Sequence, residues 1–169
     1  MINIVLYEPE IPQNTGNIMR TCAGTGVKLH LIEPLGFSLN DSKVKRCGVN
    51  YIEHCDYTVY KNYEEFLDKN QGELYFLTRY GTKSYSSFDF SDTGKNIYLV
   101  FGKESTGIPK DILTDHLDRC LRIPINENIR ALNVSNSVCI VLFEVLRQQN
   151  FPNLLHYDIF KGENYLINK

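Results

Sequence analysis

The sequence LYEPEIPQNTGNIMR, residues 6–20, links a buried strand to a helix. The apolar run at 2–7 predicts the strand, and the prolines at positions 9 and 12 prevent it from continuing. Asn14 is of a type that caps helices through its side-chain oxygen, so we expect a helix over residues 14–23. Asn17 and Arg20 are three residues apart and therefore share one helix face. An amide beside a guanidinium suits a phosphate or a ribose, although a capping asparagine and a solvated arginine would leave the same pattern.

Apolar runs of strand length alternate with helical patterns along the rest of the chain. Strands are predicted at 2–7, 29–32, 58–60, 74–77, 97–101 and 120–123, and helices at 14–23, 41–47, 63–69, 110–116 and 134–149. This alternation is typical of βαβ units. We therefore expect an α/β fold, with a single domain over residues 1–150 built on a mainly parallel sheet flanked by helices, and a C-terminal tail over 151–169.

Composition excludes several classes of protein. With 169 residues, 43% hydrophobic and 22% charged, the chain has the length and balance of one soluble globular domain. Its apolar runs are of strand length and its N-terminus lacks the basic segment of a secretory signal, so we expect neither a membrane span nor export. Five scattered cysteines without a C-x-x-C pair favour buried thiols in a reducing cytoplasm and predict no metal site.

One short segment carries a cluster of basic residues, while others, such as Lys28, Arg119 and Arg122, are spread along the chain. The net charge of −2 argues against indiscriminate binding of nucleic acid, but it allows a local basic patch. Lys43, Lys45 and Arg46 form such a cluster. We interpret the cluster as an RNA contact, and a solvated basic face is the alternative.

Three polar loops follow predicted strands, at the edge where an open parallel sheet binds its ligands. Backbone groups of five residues could bond the edge of an adenine between aliphatic side chains: Leu77, Gly102, Ile123, Ala131 and Leu132. Such a site needs little charge, which suits S-adenosylmethionine. The chain has neither a P-loop nor a Rossmann glycine fingerprint. Ordinary strand-end turns would explain any one of these loops, but they explain three together less well.

Three segments together resemble the motifs of the SPOUT class of RNA methyltransferases. They are residues 6–20, the sequence IYLVFGKESTGIP at 97–109, and the sequence RIPINENIRALNVSNS at 122–137. The similarity is greatest to the minimal branch that methylates the ribose 2′-hydroxyl of the tRNA wobble nucleotide. The resemblance covers residues 1–150. It implies a trefoil knot in the C-terminal part of the domain, S-adenosylmethionine as methyl donor, and a homodimer built on the first and last helices.

The same resemblance implies roles for individual residues. Arg20 would meet the cofactor of the other subunit, and the family is proposed to use this arginine as a general base assisted by the substrate phosphate. Because a guanidinium stays protonated, we expect Arg20 instead to hold a substrate phosphate and stabilise charge developing on the ribose oxygen. Asn14, Asn17 and Asn133 would orient Arg20 and the sugar. Glu104 would anchor the arginine or a loop.

Ala131 departs from the family pattern, because related tRNA 2′-O-methyltransferases commonly have a serine there. Only a backbone contact is therefore expected from it. The predicted function is 2′-O-methylation of cytidine or modified uridine at position 34 of tRNA, in the cytoplasm and without a metal. Two alternatives are open, namely the same chemistry on another tRNA or rRNA ribose, and a catalytically silent RNA-binding protein on the same scaffold.

Overall fold

A parallel sheet forms the centre of the protein. The computed structural model describes residues 1–40 and 51–167. Their strands are β1 (Ile2–Tyr7), β2 (Lys28–Ile32), β3 (Tyr57–Tyr60), β4 (Glu73–Leu77), β5 (Lys83–Ser84), β6 (Ile97–Phe101) and β7 (Cys120–Arg122). All neighbouring strands pair in parallel, in the spatial order β3-β2-β1-β6-β4-β7-β5. The predicted α/β class and mainly parallel sheet are confirmed. The helix predicted at 41–47 and the cluster of Lys43, Lys45 and Arg46 lie outside the described residues.

Helices cover both faces of the sheet. In the described ranges the α-helices are α1 (Pro12–Thr25), α2 (Tyr63–Lys69), α3 (Lys110–Thr114) and α4 (Val134–Gln148). On one face α1 and α4 pack together over the sheet, and their shared core includes Ile18, Val138 and Val145. On the other face α2 and α3 contribute Phe66 and Leu113 to a second core. The apolar side chains of α4 are therefore buried between the helix and the sheet.

The start of α1 differs from the prediction. The helix begins at Pro12, and Ile11 takes the N-cap position without any side-chain capping bond. Proline suits the first helical position, because the N–H that it lacks would have had no partner there. Asn14 lies two residues inside the helix and does not cap it, so the predicted capping role is wrong. Its side chain is directed to partners far along the chain.

Two short elements also differ from the prediction. The two-residue strand β5 was not predicted, because Lys83–Ser84 carries no apolar pattern and is defined by its pairing with β7. The helix predicted at 110–116 ends at Thr114. In the tail, Phe151 and Leu154 pack on the core beside α4, and residues 155–167 form exposed turns.

Candidate active site

One carboxylate, that of Glu104, fastens the second motif to the first. Its Oε2 accepts a hydrogen bond from the backbone N–H of Glu10 at 2.8 Å. Its Oε1 accepts bonds from the backbone N–H of Ile11 at 3.3 Å and from Asn14 Nδ2 at 2.9 Å. A carboxylate has acceptor positions for all three donors. Within the described residues Glu104 therefore anchors the loop before α1, one of the two roles expected of it, and Arg20 is not among its hydrogen-bond partners.

Asn14 also joins the third motif. Its Oδ1 accepts a hydrogen bond from Asn133 Nδ2 at 2.9 Å. The Oδ1 atom of Asn133 in turn caps α4 by accepting from the backbone N–H groups of Ser135 and Asn136 at 2.9 and 3.3 Å. Asn14 is only 6% exposed, and both ends of its amide are paired, since Nδ2 donates to Glu104 and Oδ1 accepts from Asn133. A side-chain cap is therefore present at α4, where Asn133 supplies it, and absent at α1, where Asn14 was expected to supply one.

Two further contacts, which sequence reasoning missed, hold the loop after β6 against the loop before α1. Lys103 Nζ lies 2.6 Å from Glu8 Oε2. The Glu10 carboxylate accepts bonds from the backbone N–H and the hydroxyl of Ser105, both at 2.8 Å. These bonds from Ser105 lower the pKa of the Glu10 carboxyl. No short sequence signal reveals such pairs, because the partners lie 95 residues apart in the chain.

A cleft of about 590 Å³ opens beside this network, at the carboxyl ends of the central strands. Its lining includes all five residues predicted to bind the cofactor: Leu77, Gly102, Ile123, Ala131 and Leu132. Asn14, Glu104 and Asn133 line the same cleft. Its volume lies in the range of small-molecule sites, which is roughly 300–1,000 Å³. The structure therefore brings eight of the ten predicted catalytic and cofactor-binding residues together, and their roles stay predictions.

Gly102 forms the tightest part of the cleft wall. A Cβ atom at this position would lie 2.3 Å from the carbonyl carbon of Gly107 and 2.3 Å from the nitrogen of Ile108. Gly107 has a φ of 77°, in the left-handed region that favours glycine, and its N–H donates to the carbonyl of Lys103 at 2.8 Å. The loop after β6 therefore folds back against the backbone of Gly102, which leaves no room for a side chain at that position.

Arg20 and Asn17 do not line this cleft. Both side chains are exposed on α1. The guanidinium carbon of Arg20 lies 5.0 Å from the centre of the Tyr51 ring, within the range of a cation–π contact. Within the described part of one chain, Arg20 therefore does not share the cleft with Asn14, Glu104 and Asn133.

The described residues contain neither a cluster of metal-binding side chains nor a helix that could cross a membrane. Across 1–40 and 51–167, His, Cys, Asp and Glu side chains form no group of three or more that could hold a metal ion. No helix in those ranges is long and apolar enough to cross a membrane. The described cysteines Cys22, Cys55, Cys120 and Cys139 are free thiols.

Known proteins resemble the chain along most of its length. The family described as "SpoU rRNA Methylase family" matches residues 1–143. The tRNA (cytidine(34)-2′-O)-methyltransferase of Escherichia coli K12 is 44% identical over 161 residues, which cover 94% of this chain and 100% of that protein. A Geobacillus stearothermophilus protein is 50% identical over 154 residues, covering 90% of this chain and 98% of its own. A solved structure described as "Structural insights into the 2-OH methylation of C/U34 on tRNA" matches with a TM-score of 0.83 and 36% identity, over 89% of this chain and 97% of the other.

Proposed function

The chain belongs to the SpoU rRNA Methylase family, and we propose that it transfers the methyl group of S-adenosylmethionine to the ribose 2′-hydroxyl of nucleotide 34, a cytidine or modified uridine, in tRNA. The observation that carries this proposal is the meeting of all three motifs in one place. Glu104 and Asn133 both bond to Asn14, directly beside the cleft. The Escherichia coli relative and the solved structure described above are both named for nucleotide 34 of tRNA, and a tRNA substrate supports a cytoplasmic location.

The cleft is suited to S-adenosylmethionine. Leu77, Ile123 and Leu132 supply aliphatic surface that can flank an adenine, and backbone at Gly102 and Ala131 can bond its edge. S-adenosylmethionine, when bound, supplies a methyl group that its sulfonium already makes electrophilic. The residues of this chain therefore have to position the ribose oxygen in line with that methyl and stabilise charge on it. Asn14 and Asn133 orient the sugar at the edge of the cleft.

Arg20 is the group that we assign to the substrate. Its guanidinium holds a phosphate of the RNA and stabilises negative charge on the reacting oxygen, with Asn17 beside it on α1. Because Arg20 does not line the cleft of its own chain, we propose that it completes the cleft of a second copy. A homodimer packed through α1 and α4 would bring the two together. Phe143, a large apolar side chain that is 47% exposed on α4, supports a covered surface there.

We also propose that the C-terminal half of the 1–150 domain is knotted. The order β1-β6-β4-β7-β5 supports this, because the chain runs from β4 out to β5 at the edge of the sheet, back to β6 on the inner side of β4, and then out again to β7 between β4 and β5. A knotted crossing would keep the three loops of the cleft together.

The proposed reaction is tested by locating the transferred methyl. Purified protein would be incubated with a tRNA transcript carrying cytidine 34 and with methyl-labelled S-adenosylmethionine, and the product digested and analysed by mass spectrometry. We expect 2′-O-methylcytidine at position 34. A methyl group found at another nucleotide would favour the alternative targets. If no tRNA tested received a methyl group, the assignment as an enzyme would be contradicted.

The shared site is tested by mixing two inactive variants. In Arg20→Ala the cleft is intact, and in Gly102→Ala the arginine is intact. If each site draws on both subunits, a mixed dimer contains one complete site, and random mixing should restore about one quarter of wild-type activity. If Arg20 serves the cleft of its own chain, no mixed dimer contains a complete site and activity stays at the level of the separate variants.

A further inference from the structure

We propose that Arg79, Arg122 and Arg130 form a phosphate-binding surface for the tRNA backbone at the mouth of the cleft. We call these three residues the basic rim. The inference rests on the proposed function, since it concerns the same substrate. It assigns RNA contacts to three arginines in addition to Arg20.

The rim is built from two of the three loops. Arg79 follows β4, Arg122 ends β7 and Arg130 lies in the loop before α4, and all three line the cleft. Arg122 is half-buried, and its Nη1 donates to the backbone carbonyl of Arg79, so it holds the loop after β4. Arg79 and Arg130 are exposed. They are therefore the two members placed to meet a large ligand.

Arg79 also makes an aromatic contact that suits a nucleic acid. Its guanidinium carbon lies 4.8 Å from the centre of the Tyr80 ring, and Tyr80 is 65% exposed. A guanidinium over a ring loses little conformational freedom when it binds, and its planar N–H edge matches phosphate geometry. The pair thus presents a fixed cation together with an aromatic face at the cleft mouth.

The charge of the cleft points to an anion other than the cofactor. Within the residues that the structure describes, none of the three rim arginines forms an ion pair. The acid that lines the cleft, Glu104, already accepts three hydrogen bonds, and Lys103 is paired with Glu8. S-adenosylmethionine carries a net positive charge, so a surplus of arginines opposes its binding. In a chain of net charge −2 this local surplus is matched by a polyanion such as RNA.

The salt dependence of tRNA binding tests the rim. We would compare Arg79→Gln and Arg130→Gln with a matched control, Arg119→Gln, which removes the same charge just before β7 begins, at the opposite edge of the sheet. Affinity for a labelled tRNA transcript would be measured in full-length protein over a series of KCl concentrations. Each rim variant should bind about 3–10-fold more weakly near 0.1 M salt and lower the slope of log K against log[salt] by about 0.7–0.9. The control should match wild type.

Cofactor affinity separates the rim from a cofactor subsite. Calorimetry should give both rim variants an unchanged or slightly tighter affinity for S-adenosylmethionine. A tenfold or greater loss of cofactor affinity, which corresponds to roughly 1.4 kcal/mol of binding free energy, would assign the arginines to the carboxylate of the cofactor and overturn the proposal. Wild-type slopes in both rim variants would overturn it as well, while leaving the proposed reaction intact. Wild-type protein that binds no tRNA would instead defeat the proposed function itself.

Discussion

Asn14→Asp should break the junction at which the first and second motifs meet. The substitution keeps the shape of the side chain, but it replaces the Nδ2 donor, 2.9 Å from Glu104 Oε1, with a carboxylate oxygen. Two carboxylates at this separation repel by roughly 4–6 kcal/mol if the effective dielectric constant is about 20. Because Asn14 is 6% exposed, solvent can screen little of this repulsion.

Proton uptake limits the penalty. One carboxyl of the new pair can escape repulsion by binding a proton, and for an ordinary carboxyl this costs about 4 kcal/mol at pH 7 and about 1 kcal/mol at pH 5. The folded variant then binds one proton more than its unfolded chain does, so its stability falls as the pH rises. We expect Asn14→Asp to lose about 3–4 kcal/mol of unfolding free energy at pH 7 and about 1 kcal/mol at pH 5.

Urea unfolding at the two pH values measures this difference. Asn17→Asp is the matched control, because it makes the same chemical change on the same helix at an exposed position. The control should stay within about 0.5 kcal/mol of wild type at both pH values. An Asn14→Asp protein as stable as the control at pH 7, or one whose loss does not shrink at pH 5, would refute the proposed geometry of the junction.

Three other predictions follow from single residues. Gly102→Ala should abolish S-adenosylmethionine binding in calorimetry, because its Cβ would lie 2.3 Å from opposing backbone, whereas Gly24→Ala, with nothing within 4 Å, should bind normally. Burial, with a smaller effect of Lys28, lowers the pKa of His30 to about 4. The free energy of unfolding should therefore fall by about 3 kcal/mol as the pH drops from about 6.5 to 4, and NMR spectra of the folded protein in which the assigned His30 imidazole titrates near pH 6.5 would contradict this. Arg20→Ala should keep cofactor affinity and reduce turnover about 100-fold or more, with poor rescue by Arg20→Lys; near-normal turnover would mean that Arg20 is a solvated helix residue.

The strong strands and the cleft were predictable for one physical reason. An apolar run of strand length in a parallel sheet is buried on both faces, and the carboxyl ends of such strands meet at one edge. The runs that became β1 and β6 were predicted with their observed bounds. The loops after them could therefore be assigned to a shared site before any contact was known.

The partners of individual polar side chains could not be predicted in the same way. Asn14 is of a residue type that often caps helices, but it lies 90 residues from Glu104 and 119 from Asn133 in the sequence. Only the folded chain brings the three together. A local signal did exist for the helix start, since proline at position 12 suits the first helical residue. The rim arginines left no signal, because they are spread along the sequence and form no run of basic residues.

The most direct test of ribose methylation uses two tRNA transcripts that differ by one oxygen atom. One carries cytidine at position 34 and the other 2′-deoxycytidine, and both are incubated with the purified protein and methyl-labelled S-adenosylmethionine. If the 2′-hydroxyl of nucleotide 34 is the acceptor, the first transcript takes up label and the second takes up none. Equal labelling of the two transcripts would mean that the methyl group goes to a base or to another nucleotide, and would contradict the account.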